Sequence, residues 1–146
     1  MKRLAIVHIV LLVAVVAGLG CARAARDTRG FAILDEVTLD APFDEAWQTT
    51  KAVLREMELD LYTRDKRGTF VAFSGMERRY LVLTPHRTQI EVNLESLTAD
   101  TTRMTIETMD QVYGVTLLTH PDWHDRKTED NALALEIIAA VQERLS

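Results

Sequence analysis

From Leu59 onward, apolar residues recur at every second position in a run of short segments, and this restricts the chain to a sheet with one wet face. Leu59 and Leu61 alternate with Asp60 and Tyr62 before the polar turn Asp65-Lys66-Arg67-Gly68. Across Thr69 to Ser74, Phe70 and Ala72 point to one side and Val71 and Phe73 to the other. A strand over Arg79 to Thr84 follows the break at Gly75, and Pro85-His86-Arg87 turns the chain. Gln89 to Glu95 is the clearest strand, with Ile90, Val92 and Leu94 inward and Glu91, Asn93 and Glu95 outward. Asp100 marks the next turn, after which Met104, Ile106 and Thr108 continue the pattern.

Helical periodicity brackets this series. Phe43, Ala46, Trp47, Thr50, Val53, Leu54 and Met57 share one face of a helix predicted from Pro42 to Met57. Pro42 suits the first turn, where its missing N–H is no loss, and Asp44 and Glu45 meet the positive end of the dipole. A second helix, about Lys127 to Leu145, carries Ala134, Ile138, Val141 and Leu145 on one face, widened by Leu135 and Ile137. Ile33 to Leu39 reads as a first strand. Residues 110–125 read as an irregular segment in which Val112 to Leu118 is a candidate for a further strand. The expected fold is a two-layer α+β domain: an antiparallel sheet of four to six strands with two helices on one face, ordered β-α-β-β-β-β-α.

The 146 residues suit one ordinary domain, and 47% hydrophobic residues are too many for a disordered tail. With 22 acids against 17 Lys plus Arg, the charge argues against nucleic acid as a partner. One cysteine excludes an internal disulfide framework and a multi-cysteine zinc site. No phosphate-binding glycine loop, zinc-protease helix or nucleophile elbow is present.

The N-terminus is informative in another way. Lys2 and Arg3 precede an uncharged apolar run from Leu4 to Gly20, about 25 Å long as a helix at ~1.5 Å per residue and short of the ~30 Å hydrocarbon core. A basic start, a short apolar stretch and small residues at its end form a secretory signal. Its last residues, Ala17-Gly18-Leu19-Gly20-Cys21, resemble the lipobox of bacterial lipoproteins. The resemblance implies cleavage between Gly20 and Cys21 and a thioether-linked diacylglycerol on Cys21, commonly with a third acyl chain on the new amino terminus. Gly18 stands where the family usually carries Leu, a departure that the permissive form of the pattern tolerates. Two other processings fit the same residues: an uncleaved anchor helix, and an ordinary signal cut at a small residue such as Ala22.

Two acyl chains are enough for stable anchoring, at about 0.8 kcal/mol per buried methylene. Cys21 is then an attachment point and not a redox or catalytic group. Ala22 follows it where an Asp would resemble the inner-membrane retention signal, so the expected address is the periplasmic face of the outer membrane. Loss of residues 1–20 removes Lys2 and Arg3 and leaves 15 basic against 22 acidic side chains, a formal charge of −7. Residues 21–32, with Arg23, Arg26 and Arg29, lack periodicity and read as a tether, leaving 33–146 as a single α+β domain.

The element order, together with Leu39-Asp40-Ala41-Pro42-Phe43-Asp44-Glu45-Ala46-Trp47, resembles small bacterial envelope lipoproteins of uncharacterised function. It is similar, more loosely, to the helix-grip modules in the C subunit of the outer-membrane barrel assembly machinery, and to the opening of the START-like lipid-binding fold. The resemblance implies a non-catalytic domain and carries over no catalytic residue.

Candidate chemistry is sparse. His120-Pro121-Asp122-Trp123-His124-Asp125 offers two imidazoles and two carboxylates, which makes His120 and His124 weak metal candidates. The same residues fit a polar loop ending in Asp125 as N-cap of the last helix, and that reading is preferred. Glu91 and Glu95 lie about 13 Å apart at ~3.3 Å per residue, beyond the roughly 5 to 9.5 Å of paired glycosidase carboxylates. Glu91 and Glu107 face each other if the strand register allows it. His86 falls in a turn, His8 leaves with the signal, and Ser74, Ser96 and Ser146 lack a nearby His–Asp partner. Trp47 reads as core, and Trp123 is the preferred partner contact.

The expected function is therefore a lipid-anchored interaction or assembly module of the cell envelope, held to the membrane through Cys21, non-enzymatic and without a cofactor. The alternatives are a carrier of a hydrophobic ligand lined by Phe43, Trp47, Phe70 and Phe73, and a metal-dependent enzyme built on His120 and His124.

Overall fold

The computed structural model describes residues 25, 27–76, 84–116 and 119–146. Its elements are β1 (Ile33–Leu39), α1 (Phe43–Glu56), β2 (Asp60–Arg64), β3 (Thr69–Phe73), β4 (His86–Ser96), β5 (Thr102–Thr116), β6 (Thr119–Arg126) and α2 (Ala132–Leu145). The two-layer α+β architecture holds, with one strand more than the expected order. Cys21, Gly20 and most of the strand expected over Arg79 to Thr84 lie outside the described residues.

β5 organises the antiparallel sheet. Eleven of its 15 residues, Thr102 to Val112, pair with β4 along one edge. On the other edge β1 covers Thr102 to Thr108 and β6 covers Asp110 to Thr116, so two strands share one side of a single long neighbour. β3 and β2 continue outward from β4, leaving β2 at the far edge. Thr128 closes the junction between β1 and β6. Its backbone N–H donates to the Phe31 carbonyl at 2.8 Å, and its hydroxyl accepts from the Asp110 N–H at 2.8 Å and donates to the Thr108 carbonyl at 3.2 Å. The chain is thus tied into the domain from Phe31, two residues ahead of β1.

Both helices cover one face. Phe70, Ile90, Val92, Met104 and Ile106 are fully buried there against Ala46, Val53 and Leu54 of α1 and Ala134, Ile137 and Val141 of α2. Trp47 packs on Phe70 with ring centroids 5.3 Å apart, and its indole N–H donates to the Asp65 carbonyl at 2.9 Å. α1 begins just after Pro42, as its sequence predicts, and ends in a Schellman-type turn: Glu58 N–H donates to Arg55 O and Leu59 N–H to Leu54 O. Glu58 takes the left-handed position, φ 56°, that glycine usually fills.

Three expectations are corrected. His86 and Arg87 are not a turn but the first residues of β4. Residues 110–125 are not irregular: β5 runs on to Thr116, and Thr119–Arg126 forms β6. Pro121 is tolerated because β6 lies at a sheet edge, where a missing N–H breaks no inner ladder. Asp125 does not cap the last helix, which begins at Ala132; Asp130 accepts the Ala132 N–H at 2.7 Å instead.

Candidate functional site

Helices leave the opposite sheet face open, and that face divides in two. One half is polar. Arg103 reaches Glu36 at 3.3 Å and Glu95 at 3.1 Å, and Glu91 stands directly opposite Glu107 in the β4–β5 register. Thr69 donates to Asn93, and Asn93 donates to Glu91 at 3.1 Å. These polar contacts account for Glu36, Glu91 and Glu95 as members of a solvated face.

The other half is aromatic and built around one cation. Period-two alternation in β4 places Arg87 on the open face, in the same row as Gln89 and Glu91. β3 supplies Phe73 on one side and β6 supplies Trp123 on the other. The guanidinium carbon lies 3.8 Å from the Phe73 ring centroid and 4.0 Å from that of Trp123. Each end of this stack is extended by a tyrosine: Tyr62 meets Phe73 edge-on at 6.2 Å, and Tyr113 meets Trp123 at 5.3 Å. A bulge between Leu61 and Thr63 interrupts the β2 register where Tyr62 projects.

Hydrogen bonds hold the guanidinium plane. Arg87 Nε donates to Gln111 Oε1 at 2.8 Å. Gln111 Nε2 donates in turn to Gln89 at 3.0 Å and Asp125 at 2.9 Å, which turns its carbonyl oxygen toward Arg87. Among the described residues, neither terminal nitrogen of Arg87 meets an acceptor, and no carboxylate forms an ion pair with it. Burial in the stack pulls the guanidinium below its usual pKa, and the charge of nearby Asp122 opposes that pull. Beside it lies a hollow of about 430 Å³ whose lining includes Leu61, Tyr62, Phe73, Met76, Arg87 and Trp123.

A second hollow, about 710 Å³, sits on the helical face where β4 and β5 run on past the helices. Thr88, Asp110 and His86 line it, with Arg126 beside Asp110 in the β5–β6 register. Thr88 donates to Asp110 at 3.0 Å, and the buried His86 Nε2 has no partner among the described residues.

The predicted site residues fall as follows. Trp123 is half-buried in β6 and completes the arginine stack. His120 and His124 are four residues apart on that strand, about 13 Å at ~3.3 Å per residue, and do not converge. No cluster of three His, Cys, Asp or Glu suited to a metal occurs among the described residues. Of the four aromatics suggested for a hydrophobic pocket, Trp47 and Phe70 are buried core, Phe43 packs beside them, and Phe73 borders a hollow. Arg87, Gln111 and Tyr62 escaped the sequence reading. The signal for Arg87 was present: it continues the outward series Gln89, Glu91, Asn93 and Glu95 two residues upstream.

Among the described residues, no helix is long and apolar enough to cross a membrane. Comparison with protein-family models and with curated proteins finds no match for this chain.

Proposed function

We propose that the protein is a membrane-anchored periplasmic lipoprotein whose α+β domain acts as a non-catalytic interaction or assembly module of the cell envelope. The observation that carries this reading is the N-terminus: Lys2 and Arg3, an uncharged run from Leu4, and Ala17-Gly18-Leu19-Gly20-Cys21. Lipid on Cys21 confines the domain to a surface and raises its effective concentration toward neighbouring envelope proteins. The open face around Arg87 and Trp123 supports the module reading, because exposed aromatics beside Arg are the residue types that dominate protein interfaces. The expected address is the periplasmic side of the outer membrane.

The native mass of protein extracted gently from its own membranes tests the anchor. A 126-residue chain carrying acyl mass is the expected result, and Cys21→Ser should abolish both the acyl mass and membrane retention. An unmodified chain of 146 residues refutes it.

A second reading, carriage of a small ligand, draws on the 710 Å³ hollow, whose volume lies in the ~300–1,000 Å³ range of ligand sites. Its His86, Thr88 and Asp110 lining suits a polar ligand, not the hydrophobic one expected from the sequence.

A further inference from the structure

Arg87 is a cation with no carboxylate in ion-pair contact among the described residues, although the charge of Asp122 acts on it from nearby. Phe73 and Trp123 cover both faces of its guanidinium, so only the in-plane edge remains to bind. Gln111 occupies Nε and fixes the rotation of that edge, while the two terminal nitrogens meet no acceptor among the described residues. A planar, pre-oriented pair of N–H donors matches the two oxygens of a carboxylate. The surroundings favour a monoanion over a phosphate: Asp60 lines the adjoining hollow and Asp122 acts on the same guanidinium, so a second negative charge would meet repulsion.

The hollow beside the guanidinium says what accompanies the carboxylate. Two large apolar side chains stand open on its rim, Tyr62 82% and Met76 71% exposed. A free small molecule would leave this rim in water, whereas a protein segment laid across it would cover both side chains. We propose that this face binds a carboxylate of a partner protein, set beside an aliphatic or aromatic side chain, with Arg87 as the anion ligand and Phe73 and Trp123 as its stacking walls. The inference rests on the module reading above and names the chemistry of its partner.

The probe is a pair of blocked peptides, acetyl-Leu-Phe-Glu-Leu-amide and its Gln counterpart, titrated against the full-length protein in phosphatidylcholine nanodiscs. Indole fluorescence and arginine side-chain NMR report on binding. The Glu peptide should bind about tenfold tighter or more, the scale of one charge-assisted hydrogen bond in a partly desolvated site. Arg87→Gln should erase that preference, and Arg87→Lys, which keeps the charge without the planar fork, should retain part of it. A purely structural Arg87 would leave the Glu-to-Gln ratio unaltered in both variants.

Equal affinity for the two peptides, no binding up to millimolar concentration, or a preference that survives Arg87→Gln overturns the proposal. A shift in Trp123 fluorescence on replacing phosphatidylcholine with phosphatidylglycerol, without peptide, assigns the face to the bilayer and also overturns it. The two readings fail separately. A lipidated chain that binds both peptides equally keeps the anchor and loses the carboxylate site; an unlipidated chain that discriminates them does the reverse.

Discussion

Replacing Thr128 by Val tests whether a side-chain hydroxyl stands in for a missing strand. β1 ends its pairing with β5 at Thr108 and β6 begins at Asp110, so two main-chain groups fall at the joint. The Thr128 hydroxyl serves both, accepting from Asp110 N–H at 2.8 Å and donating to Thr108 O at 3.2 Å, while the residue is only 3% exposed. Valine has nearly the same shape, so packing changes little and the hydrogen bonds are lost. Each buried group left without a partner costs about 1–3 kcal/mol, and with two such groups Thr128→Val should destabilise by about 2–6 kcal/mol. Thr128→Ser keeps the hydroxyl, gives up one methyl and should cost about 1 kcal/mol. Urea unfolding with unchanged m-value measures both, and amide exchange at Asp110 should accelerate in the Val variant alone. A Val variant within about 0.5 kcal/mol of the parent, or a Ser variant equally damaged, refutes the reasoning.

Four further outcomes are expected. Gly68→Ala should destabilise by at least about 2 kcal/mol in the same assay, because φ is 114° and the new methyl would press on the Leu94 carbonyl and on Phe43 Cε2 at 3.2 Å. Glu58→Gly should stabilise by about 0.5–1 kcal/mol, since glycine adopts the left-handed turn ending α1 without side-chain conflict; a loss would refute that account. Trp123→Ala should leave a cooperatively folded domain weakened by about 1–2.5 kcal/mol, the sum of one cation–π contact and one ring pair, with loss of folding as the contrary result. Arg144 hydrogen-bonds and pairs with Glu56 and holds its carboxyl below the ordinary value of 4.5. A lowered folded-state pKa stabilises above the unfolded value and is lost as pH falls through the folded one. Arg144→Ala should accordingly flatten the loss of stability below about pH 4.5 and leave its slope at neutral pH unchanged, as urea midpoints across pH would record.

Much of the fold was legible because its signals are local. Alternation marked β3 and the inner part of β4, and 3.6-residue spacing with Pro42 placed α1 to within a residue at its start. β6 escaped because His120-Pro121-Asp122-Trp123-His124-Asp125 has no apolar alternation: it is an edge strand whose side chains meet solvent on much of their surface. The same segment offered Asp125 as a helix cap, yet Asp125 is engaged by Gln111 across the β5–β6 ladder, a contact invisible to spacing. Arg87 was missed for a related reason. Pro85 and His86 suggested a turn, whereas β4 begins one residue after the proline.

The sequence by itself determined the α+β class, the two helices, and which residues along β4 face the core. Those follow from periodicity and from short motifs, which depend only on a residue's near neighbours along the chain. Tertiary structure alone decided that β1 and β6 share one edge of β5, and that Phe73, Arg87 and Trp123 form one stack. A period of two says which face a side chain occupies and nothing about its neighbour across the ladder. Phe73 and Trp123 are 50 positions apart in the chain, and only the pairing of four strands from β3 to β6 brings both to one guanidinium.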